Sequence, residues 1–169
     1  MFDVIDKRLG PGHTNVAGGL YGVDRDGANL RQLVARREEI IETSLNNSTA
    51  SRRLPWHTFM LGQRGAQDSD WIYVRSLDFD SRGEVRHVDL LHLNTRTGAN
   101  RLVPRPNGIV ESWMLDNAGQ PRLALASEDG KTTVHYRDPA SSQWRVIATF
   151  DSYAGDDKAF SPLGLDRKS

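Results

Sequence analysis

The sequence predicts an all-β chain, and three observations carry that reading. Apolar, aromatic and β-branched residues gather in short runs such as "WIYVRSLDF", "KTTVHYRD" and "WRVIATFD". Polar turns rich in Gly, Asp and Asn separate them, as in "DSRGE", "DNAGQ" and "EDGK", and these residue types tolerate the left-handed backbone that tight hairpins require. Only one stretch, "ARREEIIETSLNNSTASRR", opens with a run of helix formers.

The elements follow in order. Met1 to Gly19 is Gly-rich with little periodicity and reads as an irregular lead-in. "GLYGVDRDGANLRQLV" reads as a hairpin, with strands at Leu20 to Asp24 and Leu30 to Val34 around a turn where Gly27 supplies positive φ and Asn29 tolerates it. Residues 35–55 read as a surface insertion with one short helix, edged by Ile40, Ile41 and Leu45 and ending in the loop chemistry of "NNSTAS". Pro55 and Trp56 mark the return to strand. "WHTFMLGQR", "WIYVRSLDF", "VRHVDLLHLN" and "RLVPRP" are the next strands. In "WIYVRSLDF", Trp71, Tyr73, Arg75, Leu77 and Phe79 point one way and Ile72 and Val74 the other, so apolar cover is expected on both faces. "IVESWMLD", "PRLALASE", "KTTVHYRD" and "WRVIATFD" complete the series, with Asp129-Gly130 the strongest hairpin signal and Pro139 opening the last turn.

Composition narrows the function classes. The 169 residues suit one domain with a sizeable core, and 37% hydrophobic with 26% charged residues is a globular balance. No apolar run approaches the roughly 18 residues that cross a bilayer, so no membrane partner is expected. The start "MFDVIDKRLG" lacks the features of a signal peptide, which leaves cytoplasm or periplasm open. Cysteine is absent, which removes disulfides, thiol nucleophiles and zinc–thiolate sites together. With 22 bases against 22 acids there is no basic excess for phosphate neutralisation, and no nucleic-acid partner is expected; Arg36-Arg37 and Arg52-Arg53 read as solvated surface.

The chain also repeats itself. "LYGVDRDGANLRQLV", "LLHLNTRTGANRLVP" and "TVHYRDPASSQWRVI" each give a strand, a polar exit, a small-residue turn and a second strand ending in aliphatic residues. Gly98 and Ser142 stand 44 positions apart and Gly27 and Gly98 stand 71 apart; the insertion and its flanks account for the excess of 27. A period near 44 with four strands per unit is the pattern of a β-propeller blade, typically about 40–50 residues. On that reading the chain is a single partial propeller domain: the outer hairpin of a blade at 19–34, the insertion at 35–55, blades at 56–106 and 108–150, and the start of another at 151–169. A β-sandwich with similar hairpins is the alternative. Closure needs about four to eight blades, so the chain is expected to be a piece of a longer protein that self-associates through exposed blade edges.

"WMLDNAGQPRLALASEDGKTTVHYRDPASSQWRVIATFD" resembles a blade from the N-terminal propeller of prolyl oligopeptidase-type serine peptidases, in the dipeptidyl and acylaminoacyl peptidase-like branch. The matching positions are Trp113, Asp116, Gly119, Arg122, Tyr136, Arg137, Asp138 and Trp144. "YGVDRDGANLRQL" is similar to that family's D-x-D-G hairpins. The resemblance implies a non-catalytic propeller that caps an α/β-hydrolase domain and gates the access of peptide substrates to it. It places the catalytic serine, in a Gly-x-Ser-x-Gly elbow, outside this sequence, which has no such motif; "AFSPLG" and "VESWML" lack the leading glycine. The alternative function is a stand-alone scaffold of the TolB or WD-repeat sort, binding a protein partner.

No residue is nominated as catalytic, cofactor-binding or metal-ligating, and no cofactor is expected. His13, His57, His87, His92 and His135 include no helical i, i+4 metal pair, and the odd interval between His87 and His92 puts them on opposite faces of a strand. The resemblance raises Glu38-Glu39 as a pair that would hold a peptide amino terminus, against the plainer reading of a solvated helix face. Asn47 in "NST" fits a glycosylation sequon. Trp56, Trp71, Trp113 and Trp144 stand near strand starts and read as core packing, with a sugar-stacking platform as the sharper alternative.

Overall fold

From Leu20 onward, strands form within the short apolar runs that the sequence marks. The computed structural model describes residues 2–3, 19–37, 39, 53–62, 69–153, 159–160, 162 and 165. Its strands are β1 (Phe2–Asp3), β2 (Leu20–Gly22), β3 (Arg31–Gln32), β4 (Thr58–Met60), β5 (Trp71–Phe79), β6 (Val85–Asn94), β7 (Asn100–Leu102), β8 (Ile109–Leu115), β9 (Pro121–Glu128), β10 (Lys131–Arg137) and β11 (Trp144–Asp151). Among the described residues there is no helix. The strands make a three-stranded sheet, β1-β2-β3, and two four-stranded sheets, β4-β5-β6-β7 and β8-β9-β10-β11, each with sequence neighbours side by side. The pairings are antiparallel throughout the assigned registers. The chain is all-β, built on four-stranded antiparallel meanders.

Three expectations read differently against this structure. The lead-in Met1 to Gly19 is not wholly irregular, because Phe2 pairs with Tyr21 and Asp3 with Leu20; pairing with a strand distant in sequence overrides a segment without periodicity of its own. No helical insertion is found among the described residues of 35–55: Arg37 stands in a turn and Leu54 bridges Val34 in parallel. The helix edge expected at Ile40, Ile41 and Leu45 lies outside the described residues, as do Glu38, Asn47 and His13. In the tail, Ala159, Phe160, Pro162 and Leu165 carry no strand.

The chain divides into two compact units, one of 1–61 with 69–76 and 91–102, the other of 62–68 with 77–90 and 103–169. In the first, Leu20, Leu33, Val34, Leu54, Val74 and Leu93 are buried together, with Ile72 and Leu91 packed against them. Burying a side chain of this size stabilises by about 1.5–3 kcal/mol. Backbone bonds from Ala35 N to Leu54 O (2.8 Å) and from Leu54 N to Leu33 O (2.9 Å) close the two ends of the insertion onto this core. Tyr73 and Val74 are consecutive, point to opposite faces and are both buried, so β5 is covered on both sides as the sequence predicts.

In the second unit Val88, Leu90, Val103, Val110, Trp113, Leu123, Ala124, Ala126 and Val134 are buried. The Trp113 indole N–H donates to the Val88 carbonyl at 2.7 Å, and the Trp144 indole N–H donates to Pro104 O at 2.9 Å. These bonds satisfy the polar edges of two large rings that pack edge-on at 5.7 Å.

Turn chemistry explains where the strands stop. In "DRDGA", "DSRGE" and "DNAGQ" the amides of Gly27, Gly83 and Gly119 donate to the carbonyls of Asp24, Asp80 and Asp116, and each glycine has φ between 74° and 83°. A side chain in that region is strained, which accounts for glycine there. Asp80 Oδ1 accepts from Arg82 N and Glu84 N, and Asp116 Oδ1 accepts from Ala118 N and Gln120 N in the same pattern.

The turns that close the two meanders are longer and match each other. Asn94 Oδ1 accepts from Arg96 N and Thr97 N, Gly98 N donates to Asn94 O, and Asn94 N donates to Ala99 O. Asp138 Oδ1 accepts from Ala140 N and Ser141 N, Ser142 N donates to Asp138 O, and Asp138 N donates to Gln143 O. Every partner is displaced by 44 residues, and Gly98 and Ser142 share positive φ, 72° and 58°.

Candidate functional site

Among the described residues, one side-chain constellation is a ladder on one face of β5, β6 and β7, within the first unit. Period-two alternation puts Trp71 and Tyr73 on the same face of β5, and the register sets His92 of β6 directly opposite Arg101 of β7. The His92 imidazole stacks on Tyr73 (centroids 4.5 Å, planes 17° apart) and lies against Trp71 at 4.9 Å, while the Arg101 guanidinium sits 5.4 Å from the Trp71 ring. Burial among these rings, with the Arg101 charge second, lowers the His92 pKa below its ordinary 6.5. The chemistry available is stacking and charge–π attraction, which fixes the end of β7; no nucleophile takes part.

A charged cluster in the second unit joins β5 and β6. His87 Nε2 lies 3.3 Å from Asp78 Oδ2 and 3.6 Å from Asp89 Oδ1; Arg105 Nη1 is 3.3 Å from Asp89 Oδ1 and Arg86 Nε is 3.6 Å from Asp78 Oδ2. Opposite charges are matched within it, so it reads as a structural ion-pair network. Among the described residues no cluster of three His, Asp or Glu side chains is arranged to hold a metal ion. His87 and His92 do point to opposite faces: His87 meets Asp78, on the face of Ile72 and Val74, and His92 meets Tyr73. His135 is buried, and desolvation, partly offset by a backbone hydrogen bond at Asn107, lowers its pKa below 6.5.

Glu39, raised at the sequence level as an amine holder, is otherwise engaged. Its carboxylate accepts from Arg36 N (2.9 Å) and from Gln32 Nε2 (2.7 Å) and pairs with Arg53. Burial would raise its pKa, but these hydrogen bonds and the Arg53 charge outweigh it and the net shift is downward. A carboxylate committed to a turn amide and a guanidinium acts as a local cap; Glu38, the other half of the pair, lies outside the described residues.

The tryptophans divide. Trp113 is buried and Trp144 packs on it, as core packing predicts. Trp71 and Trp56 are only half-buried, and each has a guanidinium nearby: Arg101 at 5.4 Å, and Arg37 at 5.2 Å with His57 edge-on. Arginine over aromatic recurs at Arg137 on Trp144 and Arg145 on Tyr136. A sugar platform needs a bare ring face, and these rings are dressed by neighbours of the same chain.

Of the two weak serine resemblances, Ser112 sits exposed within β8, without the strained strand-to-helix turn of a nucleophile elbow, and Ser161 lies outside the described residues. The residues that do act together, Asp116, Gly119 and Arg122, hold structure: Asp116 Oδ2 receives Arg122 Nε at 2.7 Å with both side chains largely buried. Sequence reading overlooked a second D-x-x-G-x-x-R run, Asp80, Gly83 and Arg86, which its spacing could have revealed; there the arginine turns to Asp78 instead. A groove of about 340 Å³ lies beside the β9–β10 turn, lined among others by Ile109, Glu111, Glu128, Asp129 and Tyr153.

No family model, no curated protein and no solved structure matches this chain.

Proposed function

We propose that the chain is a non-catalytic β-propeller segment of a prolyl oligopeptidase-like serine peptidase, its two meanders being successive blades that gate peptide access to a hydrolase domain outside these residues. The observation that carries the blade reading is the closing turn repeated at Asn94 and Asp138, with the same hydrogen bonds 44 residues apart. Two unrelated hairpins have no reason to share both turn length and period, whereas tandem units do. The peptidase reading rests on the resemblance, and Asp116, Gly119 and Arg122, which carry part of it, form one connected turn. A gating role also fits side chains spent on caps, ion pairs and stacking.

The test uses the full-length product of the gene that encodes this chain. A fluorophosphonate is expected to label one serine outside residues 1–169, and the isolated chain is expected to turn over no aminoacyl-nitroanilide. A labelled serine within these residues, or a full-length product with no reactive serine, overturns the reading.

A further inference from the structure

The edges of the sheets are not equally protected. β4 and β7 have three residues each, and β1 and β3 two. β8 is longer, but its register shifts twice, between Val110 and Ser112 and between Met114 and Leu115, and it presents Glu111; bulges and charges are how edges are kept from pairing. β11 ends the second four-stranded sheet with eight residues, "WRVIATFD", uncharged from Val146 to Phe150. Val146 and Ile147 are 56% and 44% exposed. A long, β-prone, apolar edge of this kind is a template for a further strand.

The hydrogen-bond phase of β11 says which strand fits. Asp138 N bonds Gln143 O at one end, and Ser152 N bonds Gly130 O at the other. Antiparallel alternation from those ends turns the backbone groups of Arg145, Ala148 and Phe150 toward β10, and those of Trp144, Val146 and Thr149 away from it. The phase changes because Ile147 is an extra residue: Val134 pairs with Ala148 and His135 with Val146. A bulge ordinarily spoils edge pairing. Here it lies at the centre of the strand, so a two-fold axis between Ile147 and Ala148 sets the outward Val146 of one copy against the outward Thr149 of the other.

Side chains agree with that register. Val146 pairs with His135 and Thr149 with Thr133, which put both on one sheet face. On the opposite face that register sets Arg145, whose guanidinium lies 4.9 Å from the Tyr136 ring, against Phe150 of the other copy, whose ring packs at 5.7 Å on its own Phe160.

The geometry points to β11 as a self-pairing edge, through which two copies of this chain join antiparallel in the register Val146 to Thr149 and form one continuous sheet. The dimer does not depend on the peptidase reading, since it uses only the edge and its phase. It is isologous, as two-fold contacts are.

Sedimentation and oxidative cross-linking of the whole chain test it together. The chain is expected to sediment near twice its 18.9 kDa mass at high micromolar concentration, and Val146→Lys is expected to weaken the dimer about tenfold or more by placing like charges beside the axis. Leu102→Lys, at the short β7 edge, is expected to leave the dimer intact. Ile147 lies beside the axis in a chain without cysteine, so Ile147→Cys is expected to give a covalent dimer on mild oxidation and Leu102→Cys is not. A monomeric chain, a dimer indifferent to Val146→Lys, or no cross-link at Ile147→Cys overturns the proposal; none of these touches the serine-labelling result.

Discussion

Asp116 uses one carboxylate oxygen to receive two turn amides and the other to hold Arg122, and its side chain is only 7% exposed. Removing one partner of a buried pair leaves the other charge uncompensated. Asp116→Ala is therefore expected to destabilise the fold by about 3 kcal/mol in urea titrations. Asp80→Ala, which loses the same turn bonds without a buried guanidinium, is expected to cost about 1 kcal/mol. Equal costs would mean that the Arg122 pair adds nothing. The histidines give a pH dependence. The folded-state pKa values of His92 and His135 lie below the ordinary 6.5, so the unfolded chain binds protons more readily there. Their contribution is complete above about pH 6.5 and is lost as pH falls through 6.5 toward the lowered folded values. Unfolding free energy is expected to decline over that window, with a flatter slope in His92→Gln. The D-x-x-G-x-x-R spacing was legible in the sequence because it is local. The partners of Glu39 were not, because Gln32 and Arg53 reach it only once the ends of the insertion are bound.

At the scale of the element, the closing turns fill their left-handed position with different residues: Gly98 in the first meander and Ser142 in the second. Glycine enters that region without strain and serine does not. Ser142→Gly is expected to stabilise the chain by about 0.5 kcal/mol, and Gly98→Ala to destabilise it by about 1 kcal/mol, measured as shifts in denaturant midpoint at constant slope. The opposite signs would mean that the two turns are not equivalent. Trp113→Phe removes an indole N–H and leaves the buried Val88 carbonyl short of a donor, for an expected loss of about 1–3 kcal/mol. Strands and turns were readable because period two and Gly-Asp-Asn chemistry are written within ten residues or so. Pairing of β1 with β2, and the arginines lying over Trp71, Tyr136 and Trp144, depend on cross-strand register, which no local pattern states. Sequence therefore described the tryptophans as core or platform and missed the third state, rings dressed by guanidinium groups.

For the whole molecule, the interval of 44 between Gly98 and Ser142 has a counterpart in the matched backbone bonds of the two closing turns, whereas the turn at Gly27, aligned with them in the sequence, bonds instead like those at Gly83 and Gly119. What the sequence could not supply was which sheet edge is left long and apolar, since that depends on strand order and exposure. The most direct measurement of the central claim is an experimental structure of the full-length gene product. The blade reading expects further four-stranded meanders of the same turn pattern, closing with these two into a ring, and the Asn94 and Asp138 turns equivalent under the ring's rotation. A product in which β4–β7 and β8–β11 pair off as a two-sheet sandwich, with no further meanders, would contradict it.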